Sequence, residues 1–175
     1  MDRKFMKEVT LPEMKLKQSV EQGFDETINV VVDAIYKAVG GELNGENMSA
    51  LNANQMTLLA YKILHEEVMD GGFVQLIHNG YGPFIFKNPF EKVLKTWGMV
   101  DLAKLVSKCH KLFNKYGREI EKDCTDEEFM ALFEQFPAFD DEDDEFVENE
   151  EKWTEEIAKY VVEHIEQFAK TIKDE

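Results

Sequence analysis

Nine carboxylates crowd into twelve residues, Asp140 to Glu151, within the stretch FDDEDDEFVENEE that begins at Phe139. Crowded carboxylates can do three kinds of chemistry. Two in a cleft can share a proton and act as general acid and base. Several on a loop can hold a divalent cation. Fixed on a surface, they present a negative field that a basic partner can read. Spacing argues against the cation. Counted from Asp140, oxygen side chains fall at positions one, three, five, nine and twelve of an EF-hand-like loop, namely Asp140, Glu142, Asp144, Glu148 and Glu151. Glu145, however, stands sixth, where the sharp turn needs Gly. Acid-base catalysis lacks a cleft that would set two of these acids apart.

Other catalytic patterns are missing. His65-Glu66-Glu67 does not complete HExxH, because Met69 occupies the last position. There is no GxSxG, no P-loop and no Gly-rich nucleotide fingerprint. Cys109 and Cys124 form no CxxC or Cys/His cluster and are expected to be reduced, partly buried thiols. His110 and His164 fall on helices as packing residues, and His78 has no nucleophile beside it in sequence. The expectation is a protein that is not an enzyme, with no catalytic, metal or cofactor site.

Charge placement gives the third chemistry its weight. The net charge is −16, yet Glu119–Glu156 alone holds 18 acids against Lys122 and Lys152. That segment carries the whole net charge and the remainder balances. Such a field excludes nucleic acid and an anionic membrane as direct partners and favours a basic protein. No apolar run approaches the roughly 18 residues of a membrane span. The first 17 residues are basic without an apolar core, so no secretory signal is read and a cytoplasmic protein is expected.

The elements that must position these residues are helical. Residues 1–17 read as a mobile or loosely docked arm, and 18–175 as a single helical domain with the acidic segment at 119–156. A first helix starts near Ser19, where Gln22 suggests a capping box, and ends at Gly40-Gly41. A second runs from about Ala53 to Met69, and Gly71-Gly72 breaks it. Asn88-Pro89 opens a short helix, Asp101 another, and Thr125 with Glu128 a third that Pro137 stops. The last helix is placed at about 153–172. The fold class is all-α, a single compact domain of about seven helices without strand alternation of any useful length.

The acidic stretch is not featureless. Phe139, Phe146, Trp153 and Tyr160 recur every seven residues, which returns a helix to nearly the same face. Each aromatic contributes roughly 1.5–3 kcal/mol if buried. Like-charge pairs such as Asp140/Asp144 cost only about 0.2–0.5 kcal/mol each. Docking therefore wins, with Phe146 inside and carboxylates in water. Helix and ordered loop both remain open for residues 138–146.

One motif resembles a family. HEEVMDGGFVQLIHNGYG, residues 65–82, is similar to a bacterial domain family whose pattern is an acidic helix end, Asn-Gly-Gly-Phe, one variable residue, Gln, an aromatic pair and Asn. Here these are Glu67, Asp70-Gly71-Gly72-Phe73, Gln75, Leu76-Ile77 and Asn79. Asp70 replaces the usual Asn, and Leu76-Ile77 replace the aromatics. Downstream, Phe136-Pro137, the acidic stretch and a final His164…Phe168 follow the same layout, so the resemblance spans roughly residues 50–170. Physically, Gly71 would take the left-handed conformation, Gly72 the sharp turn, and Phe73 a place in the core. Gln75 and Asn79, one helical turn apart, would bond each other or cap exposed backbone groups. This makes Gly71, Gly72, Phe73, Gln75 and Asn79 a structural corner, or else a small pocket.

The resemblance implies more, because the family includes an acidic protein regarded as a DNA mimic. On that reading the chain is a non-enzymatic binding protein that occupies a basic or DNA-binding protein. Its contact set would be Asp140, Asp141, Glu142, Asp143, Asp144, Glu145, Glu148, Glu150 and Glu151. Two alternatives share the sequence: an immunity-like inhibitor of a basic toxin, and a helical accessory protein with its pocket at the Gly-Gly-Phe corner. A homodimer is compatible with each.

Overall fold

The computed structural model describes residues 6–174. The all-α expectation is borne out, with eight α-helices among the described residues: α1 Glu13–Gln22, α2 Phe24–Ala38, α3 Ala53–His78, α4 Gly82–Phe86, α5 Phe90–Thr96, α6 Val100–Ile120, α7 Asp126–Gln135 and α8 Asp140–Glu163. Two three-residue strands, β1 Thr10–Pro12 and β2 Lys170–Ile172, pair in parallel with Leu11 opposite Thr171. The chain groups into two compact units, residues 1–62 with 152–175, and residues 63–151. The boundaries fall inside α3 and α8.

The first unit corrects three expectations. The described part of the loose arm is β1 and part of α1, with Val9 and Leu11 buried and Val9 O accepting from Lys170 N at 2.7 Å. The helix expected from Ser19 is two helices, split at Gly23, whose φ of 137° lies where side chains are rarely tolerated. Ser19 is therefore no N-cap. It sits inside α1, and its Oγ donates to Leu16 O. The final helix ends at Glu163, and residues expected to continue it form a short 3₁₀ turn and β2. Buried polar groups tie this unit together. Tyr61 Oη and Thr154 Oγ1 share a hydrogen bond of 2.7 Å, and Gln55 Nε2 donates to Phe168 O at 2.9 Å.

The second unit holds both features that the sequence singled out. Its core includes Phe73, Leu76, Ile77, Leu105, Cys109, Phe139 and Phe146, all fully buried. Helix α6 turns Leu102, Leu105, Val106, Cys109 and Phe113 inward at helical spacing. Thr125 caps α7, its Oγ1 accepting from Glu128 N at 3.2 Å, but the Glu128 carboxylate accepts from the Thr125 hydroxyl at 3.1 Å rather than from its N–H, so half of the expected capping box forms.

Candidate functional site

The acidic stretch is helix. After a 3₁₀ turn at Pro137–Phe139, α8 begins at Asp140 and runs unbroken through Glu151. Asp140, Asp141, Glu142 and Asp143 occupy its first turn, where unpaired N–H groups and the helix dipole favour negative charge. Phe139 and Phe146 are fully buried, Trp153 nearly so, and Tyr160 half-buried. The seven-residue spacing thus supplies the anchors it promised. A continuous helix also turns successive acids around its axis, so the first, third and fifth positions do not converge as a cation loop requires. Among the described residues no cluster of three or more metal-ligating side chains forms.

The Gly-Gly-Phe corner is the socket beneath that helix start. Helix α3 kinks at Gly71 (φ −152°, ψ 18°) and Gly72 (φ 74°, ψ −177°). The positive φ belongs to Gly72, not to Gly71 as the local reading had it. Gly72 meets a second demand as well: a Cβ there would lie 2.6 Å from Asp143 Oδ2. Phe73 follows these two non-helical residues as the helix restarts, and its N–H donates to Asp143 Oδ1 at 2.8 Å. The Phe73 ring packs against Phe139 and Phe146, each 6.5 Å away between centroids. Partial burial pushes the Asp143 carboxyl up to about 6; the Phe73 N–H opposes this, and Asp140, Asp144 and Glu142 reinforce it.

Gln75 and Asn79 do not bond each other. Both amides donate to one oxygen, Glu67 Oε2, at 3.0 and 2.9 Å, and Gln75 Nε2 also reaches Asp70 Oδ2 at 2.9 Å. Glu67 lies before the kink and the two amides after it, so three side chains brace the bend. With its polar groups turned on one another, the corner reads as a support for the acidic helix.

The nine carboxylates divide accordingly. Asp140, Asp141, Asp144, Glu148 and Glu151 are exposed, along one side of α8. The other four are drawn into the fold. Asp143 caps Phe73. Glu150 Oε2 accepts from His65 Nε2 at 2.8 Å, and the His65 ring meets Phe146 edge-on. Glu145 lies 3.6 Å from Lys108 Nζ. Glu142 has one oxygen buried without a hydrogen-bond partner among the described residues. Sequence reasoning missed the roles of His65, Lys108 and Glu67. Glu67 alone carried a signal, standing two turns ahead of Gln75 on the same face.

The fold also sets Cys124 Sγ 3.9 Å from His78 Nε2. Because the Ile120 carbonyl can only accept, His78 Nδ1 donates to it at 2.8 Å, leaving Nε2 as the acceptor that faces the thiol. This resembles a nucleophile and its oriented base. Yet partial burial, followed by the carboxylates of Glu128, Asp123 and Asp126, raises the Cys124 thiol and keeps it protonated.

Two comparisons with known proteins bear on this site. The profile of a family described as DMP19-like protein matches residues 49–164, which include the kink, the corner and the acidic stretch. A protein of Neisseria meningitidis serogroup B, described as DNA mimic protein DMP19, is 30% identical over 165 residues, covering 94% of this chain and 97% of the relative.

Proposed function

The chain belongs to the DMP19-like family, and we propose that it is a non-enzymatic binding protein whose acidic helix occupies the phosphate-binding surface of a basic, DNA-binding protein. The observation that carries this reading is the row of exposed carboxylates on α8, Asp140, Asp141, Asp144, Glu148 and Glu151. Twelve helical residues span about 18 Å. Five exposed charges over that length give about one per 3.6 Å, close to the roughly 3.4 Å per charge along one DNA strand. All nine acids together would match a whole duplex, but four are occupied within the fold.

Two further facts support the reading. In sequence no base interrupts the row before Lys152, and Lys108, paired beside it, lies against Glu145. The row is also held in place, because Phe139 and Phe146 fix the helix and Asp143 ties its first turn to Phe73. Preorganised charge is what imitation of a stiff polyanion needs, since a floppy acidic tail would lose conformational entropy on binding. The name of the meningococcal relative points the same way.

The test is capture of cell proteins on the immobilised chain across a salt series. The proposal expects a basic, DNA-binding protein to be retained at low salt and released as salt rises. Retention that is indifferent to salt, or of proteins without a DNA-binding surface, overturns it.

A further inference from the structure

Next to the acidic segment in sequence lies one of opposite sign. Residues 87–118 hold seven lysines and Arg118 against only Glu91 and Asp101. Beside it a hollow of about 380 Å³ opens among α4, α5 and α6. That volume is within the range of small-molecule sites, about 300–1,000 Å³. Its floor is Ile85, Phe86 and Val106, all buried, and its rim carries Glu91, Lys92, Lys95 and His110.

The rim groups differ in how far they are committed. Lys95 Nζ lies 3.2 Å from Glu91 Oε1, a pair that cancels its own charge. The Asn88 amide donates to Phe84 O at 2.9 Å. Lys92 is exposed and has no counter-charge among the described residues. His110 stacks on Phe86, with centroids 5.7 Å apart and planes at 18°, and neither ring nitrogen has a hydrogen-bond partner among the described residues. The hollow therefore combines an apolar floor, a cation without a counter-charge and an imidazole without a hydrogen-bond partner among the described residues.

We infer that this hollow binds a small organic anion, its flat apolar body against Phe86 and Val106 and its phosphate or carboxylate head between Lys92 and His110. The site is separate from the acidic face and does not depend on the reading of that face.

The experiment follows the His110 ring and the Lys92 side chain by NMR while phenyl phosphate, benzoate, inorganic phosphate and phenol are titrated in turn. Saturable shifts at both residues with phenyl phosphate, benzoate or both, and weaker ones with inorganic phosphate and phenol, support the site. The anion that binds identifies the head group. Lys92→Glu should weaken binding at least about tenfold, the scale of one lost charged hydrogen bond. Lys92→Gln should weaken it less, and Lys104→Glu, on α6 but outside the hollow, should leave it unchanged. No saturable His110 shift up to about 10 mM overturns the inference, as does equal weakening by Lys92→Glu and Lys104→Glu.

Discussion

Asp143 caps the backbone N–H of Phe73 at 2.8 Å, across 70 residues of sequence. One member of the acidic stretch thereby serves as the helix cap that Gly72, lacking a side chain, cannot provide. The acidic helix and the Gly-Gly-Phe corner are one construction: the corner holds the helix start, and the helix start caps the corner.

Gly72 should not accept a side chain. Its φ of 74° alone costs Ala about 1–3 kcal/mol, and the added Cβ must also displace Asp143. Urea unfolding of Gly72→Ala should show this loss. In an Asp143→Ala background the loss should shrink to the backbone part. Equal cost in both backgrounds would refute the contact.

Asp143 should give stability a pH dependence opposite to that of an ordinary paired carboxylate. Its folded pKa, about 6, lies above the ordinary 3.8, so the folded state binds the extra proton between these values. The contribution is fully present below 3.8 and is lost as pH rises through about 6. Stability of the wild type relative to Asp143→Asn should fall across that window. A flat or rising difference would contradict the assignment, as would a carboxyl resonance titrating below 4.

The exposed and the engaged acids should separate in stability measurements. Asp144→Asn, Glu148→Gln and Glu151→Gln together should leave the protein as stable or slightly more so, because each like-charge pair one turn apart costs about 0.2–0.5 kcal/mol. Glu67→Ala removes the acceptor shared by Gln75 and Asn79 and should cost about 0.5–1.5 kcal/mol, with Gln75 keeping Asp70 and Asn79 turning to water. If denaturant unfolding ranks Glu67→Ala no lower than the triple variant, the division of the acids is wrong.

Phe146 should be the anchor without which the acidic face loses its form. It is fully buried and meets both Phe73 and His65, so Phe146→Ala should cost about 3–5 kcal/mol. Hydrogen exchange should then rise along residues 140–151 before it rises in α6. Uniform change throughout the second unit would argue against a local anchor.

What the sequence made legible was periodic. Helices α2 and α6 show their buried faces at helical spacing, and the aromatics seven apart announced the buried side of α8. Helix α1 was missed because it has little apolar stripe: only Ser19 is buried, while Met14 and Val20 are exposed. The strands were missed because three residues are too few to alternate and their pairing joins distant parts of the chain. At the site, residue types were legible but partners were not. Asp143 to Phe73, His65 to Glu150, Lys108 to Glu145 and Cys124 to His78 are all non-local and leave no period behind. For that reason nine acids read alike in sequence, although only five face outward.

Duplex DNA should compete with the acidic face of α8 for its partner. The chain would be immobilised beside a variant carrying Asp140→Asn, Asp141→Asn, Asp144→Asn, Glu148→Gln and Glu151→Gln, and each loaded with the basic protein retained at low salt. The wild type should hold this protein, added duplex DNA should displace it, and the variant should not hold it. If the variant retains it equally well, or saturating DNA leaves it bound, the acidic face of α8 does not stand in for DNA.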